Sequence, residues 1–365
     1  MRVVLTSDGH TYRYLPALPR RLLPPFVRGS KHPPYGLRKV QARTGWEVLP
    51  PEEAVRLALR GQVDAVGVYV NDPKGLTPVS RSLKSLFREL GQEESFKELV
   101  EGLRKAKELS GVKVFAGGPG AWQVEGEPWL DLVVYGEAES LSEEVLSERG
   151  KVQLPRAEKF LAIRGPSGMA EVEVMRGDRE VDFAVVEEEM RLQAKAHGYV
   201  NLISHDLFAH PRLYDLLALS RKFGRVKFSN VTVKSATEVD LGRVREVLGL
   251  SESNFVTPVL SDSKGSCTLE EFDVIKDLNE AFIYPTVFVR ESRLEEVAKY
   301  KVVAFPIVED NPARAFYLAW KVSSEAVRRP YAGLVERVLK KNFDNKGRLL
   351  RESGLLGVAL SILIP

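Results

Sequence analysis

The feature that most restricts the fold of this chain is a regular alternation of short apolar strands with helical segments. From Tyr35 onward, runs rich in Val, Ile, Leu and Phe are followed by segments whose apolar residues recur at helical spacing, as Phe96, Leu99, Leu103 and Ala106 do. Strands that alternate with helices form parallel sheets, because each helix returns the chain to the same end of the sheet. The sequence therefore predicts an α/β protein.

The first 148 residues are expected to form one Rossmann-like, doubly wound domain. Its predicted strands are Val3–Thr6, Trp46–Leu49, Asp64–Val70, Val112–Ala116 and Asp131–Tyr135, and its predicted helices are Gly36–Arg43, Glu52–Arg60, Pro78–Leu90 and Glu94–Ser110. Prolines and arginines crowd residues 12–34, which predicts an extended segment that crosses either the surface or a pocket.

A glycine-rich stretch marks the candidate ligand site of this domain. The strand Val112–Ala116 runs into Gly117, Gly118, Pro119 and Gly120, and the later strand Asp131–Tyr135 leads to an acidic helix start at Glu137. Glycine enters the φ > 0 region without steric cost, and ligands of open α/β sheets bind at the carboxyl ends of strands. The stretch predicts either a ligand cradle or a plain turn between strand and loop.

In the second half of the chain, a strand followed by a helix recurs six times. This repetition predicts a partial (βα)6 barrel of the TIM type. Residues 149–170 have mixed composition and are expected to be a linker, 171–330 the barrel, and 331–365 a C-terminal helical extension with an apolar tail. The predicted strands are Glu171–Met175, Tyr199–Ser204, Arg225–Val231, Asn254–Leu260, Ile283–Val289 and Val302–Ile307. The tail, Gly354–Pro365, is too short to span a bilayer and is expected to pack on a core, a second copy or another partner.

Composition excludes several kinds of function. The net charge of +3 over 365 residues gives no signal for nucleic-acid binding. The single cysteine, Cys267, excludes an internal disulfide framework, a cysteine zinc site and a three-cysteine iron–sulfur site within this chain. The first residues resemble a strand and not a signal peptide, so a cytoplasmic protein is expected. The charged content of 28%, the abundant proline and the few methionines and cysteines would suit a thermophile.

Several segments in both halves of the chain match a known pattern: Tyr35-Gly36-Leu37-Arg38, Asp64–Pro73, Gly117-Gly118-Pro119, Asp131 with Gly136-Glu137, Glu171–Gly177 and Asn201–Leu217. Through these residues the chain resembles, over most of its length, the cobalamin (B12)-binding radical S-adenosylmethionine (SAM) family, in an archaeal-like form. The resemblance implies a cobalamin-binding Rossmann-like domain followed by a radical-SAM-type partial barrel, with cobalamin or SAM as the expected cofactors.

One departure from the family changes the expected chemistry. Where the family places a CxxxCxxC motif for its [4Fe-4S] cluster, residues 176–189 read RGDREVDFAVVEEE. Carboxylates such as Asp178, Glu180 and Asp182 are hard ligands and replace thiolates poorly. The sequence therefore predicts that no such cluster is bound and that the radical chemistry is lost.

Cobalamin-binding domains often supply a cobalt-ligating histidine from an Asp-x-His-x-x-Gly motif after the first strand. Asp8, Gly9 and His10 match its first three positions, and the closing glycine is missing. The resemblance makes Asp8 and His10 candidate cobalamin contacts, together with Gly117, Gly118, Gly120 and Glu137. For the glycines, a loop that needs only its turn geometry is the alternative.

Two further groups of polar residues follow predicted barrel strands. His205, Asp206 and His210 form a weak candidate metal site, with a structural or hydrogen-bonding role as the alternative. Ser261 and Lys264 belong to a small polar loop suited to bind phosphate or carboxylate through backbone N–H groups, or to serve as an ordinary connection.

The sequence thus predicts a cluster-free, radical-SAM-like protein that acts as a binding, regulatory or partner-interacting protein. The alternative is an enzyme that uses the barrel mouth for non-radical methyl transfer with SAM or cobalamin. The sequence names neither a substrate nor a partner.

Overall fold

The computed structural model describes residues 1–23, 27, 29–326 and 332–353. Two compact units divide the chain. Unit 1 contains Met1–Ser80 and Glu89–Ala170, and unit 2 contains Arg81–Arg88 and the described residues from Glu171 onward. The apolar tail Gly354–Pro365 lies outside the described residues, so its expected contact with a core, a second copy or another partner stays a prediction.

Unit 1 is built on a parallel sheet that has six strands among the described residues, in the order β2-β1-β3-β4-β5-β6. The strands are β1 (Val3–Ser7), β2 (Glu47–Val48), β3 (Ala65–Tyr69), β4 (Lys113–Gly117), β5 (Leu132–Tyr135) and β6 (Gly150–Gln153). The helices before β4 are α1 (Gly9–Tyr12), α2 (Tyr35–Thr44), α3 (Pro51–Leu59), α4 (Pro78–Lys84) and α5 (Gly91–Ser110); the last four residues of α4 belong to unit 2.

Apolar side chains cover both faces of this sheet. On one face, Val66 and Val114 pack against α3 and α5, which contribute Leu57 and Leu103. On the other face, Phe115 belongs to a second cluster with residues of α2. Because the connections after β1 and β3 lie on opposite faces, the carboxyl ends of these two strands form the switch point at which ligands of such folds bind.

The prediction of an α/β fold with a parallel sheet is confirmed. Residues 149–170, expected as a linker, contain the edge strand β6, and unit 1 continues through Ala170. Only Val152 of β6 is partly buried, so the strand carries almost no apolar signal. The helix expected to start at Glu137 is wrong: the structure has short 3₁₀ segments at Ala138–Ser140 and Glu143–Ser147.

Unit 2 contains the remaining strands and helices of the described chain. The strands are β7 (Glu171–Glu173), β8 (Met175–Arg176), β9 (Arg179–Glu180), β10 (Tyr199–Ile203), β11 (Arg225–Phe228), β12 (Asn230–Thr232), β13 (Val259–Ser261), β14 (Thr286–Arg290) and β15 (Val303–Ile307). The helices are α6 (Phe183–His197), α7 (Leu213–Arg221), α8 (Val233–Glu238), α9 (Leu241–Leu248), α10 (Val274–Glu280), α11 (Leu294–Val297), α12 (Pro312–Ala326), α13 (Ala332–Lys340) and α14 (Arg348–Ser353).

The parallel strands of unit 2 follow one another in chain order. β7, β10 and β11 pair side by side, and so do β12, β13, β14 and β15. Ser229 joins the two sets, because its N–H donates to the Leu202 carbonyl and its carbonyl accepts from the Val259 N–H. The one predicted strand at Arg225–Val231 is therefore broken into β11 and β12.

Among the described residues, no helix combines the length and the apolar character needed to cross a lipid bilayer.

Candidate functional site

Asp8 lies at the carboxyl end of β1 and caps the short helix α1. Its Oδ1 accepts hydrogen bonds from the backbone N–H groups of His10 and Thr11, both at 3.0 Å. The residue is only 2% exposed, and this burial raises the pKa of its carboxyl group. Asp8 thus holds the turn after β1, a role that a side-chain oxygen at this position commonly has.

His10 is enclosed by protein on all but 4% of its surface. Its Nε2 lies 2.7 Å from the Pro16 carbonyl oxygen, so Nε2 carries the hydrogen. Nδ1 is buried without a hydrogen-bond partner and lies against Gly91, where an added Cβ would be 2.6 Å away. Burial lowers the pKa of His10, so the ring is neutral. Nε2 is bound to the Pro16 carbonyl, and Nδ1, although it has no hydrogen-bond partner, is packed against Gly91, so the residue does not fit the role of cobalt ligand in this arrangement.

The glycines after β4 pack against the end of β3. Gly118 has φ +113, and an added Cβ would lie 2.5 Å from the Val70 carbonyl oxygen. A Cβ on Gly120 would overlap the Asn71 carbonyl oxygen, and the Gly120 N–H donates to the Val70 carbonyl at 3.0 Å. The space that these missing side chains leave is therefore filled by the protein's own backbone and not by an open cradle.

Gly117 and Glu137, the other two candidate ligand contacts at this edge of the sheet, also contact residues of the protein itself. A Cβ on Gly117 would lie 3.2 Å from the Val134 carbonyl oxygen of the neighbouring strand β5. The Glu137 carboxylate accepts a hydrogen bond from the Ala157 N–H at 3.0 Å, which ties the turn after β5 to the segment after β6. Both residues therefore shape the edge of the sheet.

A cavity of about 220 Å3 lies beside the carboxyl end of β1, between α1, α3 and α5. We call it the His10 cavity, because this residue contributes to its lining. Val55 and Leu99 supply apolar lining, and Ser95 a hydroxyl group. The Ser95 Oγ accepts from the His10 N–H at 3.1 Å, so the hydroxyl hydrogen is still able to donate.

Two ion pairs also line the His10 cavity. Arg13 Nη2 lies 2.8 Å from Glu52 Oε1, and Arg20 Nη1 lies 2.6 Å from Glu98 Oε1. Partial burial acts to raise the pKa of Glu52, but the Arg13 guanidinium outweighs it and the pKa is lowered. The sequence interpretation missed this site; its one signal was the Arg- and Pro-rich segment, whose arginines bind carboxylates on α3 and α5.

In unit 2, a hairpin follows the first parallel strand of the sheet. β8 and β9 pair antiparallel, and Gly177 has φ +60 in the turn between them. Arg176 forms a two-pronged pair with Glu173, at 2.7 and 2.5 Å. The Glu180 carboxylate accepts from Arg212 Nε at 2.6 Å.

Asp182, one of the carboxylates in this segment, caps the helix α6 that follows the hairpin. Asp182 accepts a hydrogen bond from the Ala184 N–H at 2.8 Å and so begins α6. The hairpin and this cap overlap residues 176–189, the segment compared above with the CxxxCxxC motif. Since no thiolate is present there, the residues do not fit a [4Fe-4S] cluster.

The candidate metal residues of unit 2 do not converge. Asp206 accepts hydrogen bonds from the Thr232 and Ser235 hydroxyls at 2.8 and 2.7 Å and so holds the start of α8. His205 is exposed and lies near Gly265, whereas His210 is buried. No three His, Cys, Asp or Glu side chains within the described ranges are grouped so that they could hold a metal ion.

The loop after β13 is closed by one of its own carboxylates. Asp262 Oδ1 accepts from the N–H groups of Lys264 and Ser266, at 2.9 and 2.6 Å. These are donors that an anion bound at Ser261 and Lys264 would need. The side chain of Asp262 therefore already fills the position expected for a phosphate or carboxylate.

His210 gives the second unit a pH-dependent stability. Its Nδ1 accepts from the Arg212 N–H at 3.1 Å, and its Nε2 lies 3.7 Å from Glu180 Oε1. Burial lowers the pKa of His210, and the nearby Arg212 acts in the same direction while Glu180 opposes it. The unfolded chain gains the proton first as pH falls below 6.5, so this stabilisation is present above that pH and is lost below it.

We expect the free energy of unfolding to fall between about pH 7 and about pH 5, and to fall less in His210→Asn, because this variant removes one titrating group. Urea denaturation over this pH range measures the slope. His205→Asn is the matched control, since the His205 side chain is exposed, and it should keep the full slope. Equal slopes in the two variants would contradict the assignment to His210.

Comparisons with known proteins give a fold likeness. No protein-family model matches the chain, and no curated protein matches it. The chain is similar to the radical S-adenosylmethionine methyltransferase TsrM from Kitasatospora setae, solved with tryptophan substrate and the SAM analogue aza-SAM: TM-score 0.50, 14% identity, and 80% of this chain and 68% of that chain covered.

Two glycoside-cleaving enzymes also match. A GH113 β-1,4-mannanase has a TM-score of 0.22 and 12% identity, with 76% of this chain and 77% of that chain covered. A trehalose-6-phosphate hydrolase from Bacillus licheniformis has a TM-score of 0.25 and 8% identity, with coverages of 94% and 73%. The likenesses to these two enzymes carry no argument. The likeness to the methyltransferase shows a shared fold alone.

Proposed function

We propose that this chain is a cluster-free relative of the cobalamin-binding radical SAM enzymes that acts as a binding or regulatory protein. The hairpin after β7 carries the proposal. The segment in which the family binds iron is folded here as β8 and β9, with Glu173 bound to Arg176 and Glu180 bound to Arg212. A chain with one cysteine lacks the thiolates that such a cluster needs.

The fold supports the family relationship in the proposal. A parallel sheet of Rossmann-like order is followed in the chain by the parallel strands β7 and β10 to β15, which pair in chain order as in a partial barrel. We propose that the strands of unit 2 curve in this way. The likeness to a radical SAM methyltransferase over 80% of this chain agrees with such a plan.

We expect anaerobic reconstitution with iron and sulfide to give no stoichiometric four-iron cluster. Iron content, visible absorption and electron paramagnetic resonance of the purified full-length protein measure this. Cys267→Ser is the control for adventitious iron, because Cys267 is exposed and is the only thiol of the chain. A four-iron signal at one cluster per chain would overturn the proposal.

A second candidate function is non-radical methyl transfer with SAM or cobalamin. It is favoured by one observation, the bound SAM analogue in the similar methyltransferase structure. Calorimetric titration with SAM and with hydroxocobalamin tests it, and saturable binding of either would favour the enzyme. In this arrangement His10 offers no cobalt ligand, so a bound cobalamin should not show the spectrum of histidine coordination.

A further inference from the structure

The His10 cavity in unit 1 has the size of a small metabolite. An apolar cavity of about 150 Å3 holds one benzene molecule, so about 220 Å3 suits a ligand of roughly ten non-hydrogen atoms. All of its described lining comes from residues of unit 1. The cavity is therefore a site in its own right, whatever the chemistry of unit 2.

The charged lining of the cavity is balanced. Arg13 and Arg20 supply two positive charges, and Glu52 and Glu98 supply two negative charges. The buried imidazole of His10 is neutral and adds none. A ligand with a single charge would meet a like charge beside each opposite one, whereas a ligand that carries both charges can satisfy a guanidinium and a carboxylate together.

These ion pairs are open to exchange with a ligand. The side chains of Arg13 and Glu52 are 38% and 64% exposed, and those of Arg20 and Glu98 are 49% and 66% exposed. Pairs so accessible to water contribute little net stability, so opening one of them costs little. A ligand carboxylate can then bind the guanidinium, and a ligand ammonium can bind the released glutamate.

The uncharged residues that line the cavity indicate the rest of the ligand's structure. Val55 and Leu99 offer apolar surface beside the charged pairs, and the Ser95 hydroxyl offers one donor. We infer that the His10 cavity binds a free L-α-amino acid with an aliphatic side chain of about the size of leucine or methionine. Its carboxylate would bind one of the two arginines, its ammonium one of the two glutamates, and its side chain would contact Val55 and Leu99. This inference goes beyond the proposed function and does not depend on it.

Calorimetric titration of the full-length protein with L-leucine and with L-methionine tests the inference. We expect saturable binding of at least one of them. The two matched analogues are 4-methylpentanoate, which lacks the ammonium group, and 3-methylbutylamine, which lacks the carboxylate. Each should bind about tenfold more weakly than leucine or not at all, because each leaves one charge of the site without its partner.

Variants locate the site. At least one of Arg13→Gln and Arg20→Gln, and at least one of Glu52→Gln and Glu98→Gln, should weaken amino-acid binding by about tenfold. Glu187→Gln is the control, because Glu187 forms an equally exposed pair with Arg191 on α6 of unit 2, and it should bind as the unaltered protein does. Circular dichroism verifies that each variant is folded.

Three results would overturn the inference: no binding of leucine or methionine, binding of 4-methylpentanoate as tight as that of leucine, or binding by both Arg13→Gln and Arg20→Gln that equals that of Glu187→Gln. These outcomes are separate from those of iron reconstitution, which tests unit 2. Iron reconstitution and amino-acid titration each give a positive or a negative result independently of the other. The failure of the inference is therefore distinguishable from the failure of the proposed function.

Discussion

Gly118→Ala should lower the free energy of unfolding by roughly 2–5 kcal/mol, among the largest effects of any single methyl group in this chain. Two costs add. The backbone at Gly118 has φ +113, which an alanine rarely adopts, and the new Cβ would lie 2.5 Å from the Val70 carbonyl oxygen. That oxygen also accepts the Gly120 N–H, so it cannot move away without breaking a hydrogen bond. Urea denaturation followed by tryptophan fluorescence measures the loss.

Two other glycines separate these costs. Gly126 has φ +79 with no atom within 4 Å of an added Cβ, so Gly126→Ala should show backbone strain alone, about 1 kcal/mol. Gly333 in α13 has neither problem, and Gly333→Ala should be neutral or stabilising by up to about 1 kcal/mol. If Gly118→Ala cost no more than Gly126→Ala, the loop after β4 would have room that the structure denies, and a ligand cradle would again be the better interpretation.

Lys39→Met should destabilise the protein by about 3–5 kcal/mol. Lys39 on α2 lies 3.8 Å from Glu139 and donates to the Leu161 carbonyl at 2.7 Å, and the two charged side chains are 3% and 1% exposed. Removal of the ammonium leaves the Glu139 carboxylate buried without this counter-charge. Chemical denaturation measures the effect.

The double variant Lys39→Met, Glu139→Leu should recover much of this loss, because it removes both buried charges. Recovery should be incomplete, since the Leu161 carbonyl still loses its donor. Lys105→Met is the matched control for an exposed pair with Glu101 and should change stability by less than about 0.5 kcal/mol. A double variant as unstable as the single one would show that packing, and not charge, dominates at this position.

The sequence was informative where secondary structure depends on local pattern. The buried strands β3 and β4 carry continuous apolar runs, and α5 has its apolar residues at helical spacing, so each was predictable from its own residues. β6 was not, because an edge strand with one partly buried side chain has no such pattern. The break at Ser229 also depends on two neighbouring strands and not on local sequence.

For the candidate site, the general location was predictable from the sequence, but the roles of single residues were not. The gathering of loops at the carboxyl ends of the strands was predictable from the sequence, and the His10 cavity lies beside one such end, that of β1. The roles of single residues depended on partners distant in the chain: His10 on Pro16 and Gly91, and Glu52 and Glu98 on arginines of the segment after α1. Sequence spacing carries no information about such partners.

The hairpin after β7 has a consequence for protein engineering. Cysteines grafted into residues 176–183 in the CxxxCxxC pattern would not by themselves create an iron site, because the backbone there is committed to a tight antiparallel turn closed by Glu180 and Arg212. The turn would first have to be unravelled, and α6 would have to begin without the cap from Asp182. A designer would gain more by replacing the whole segment with a longer, glycine-containing loop than by exchanging side chains.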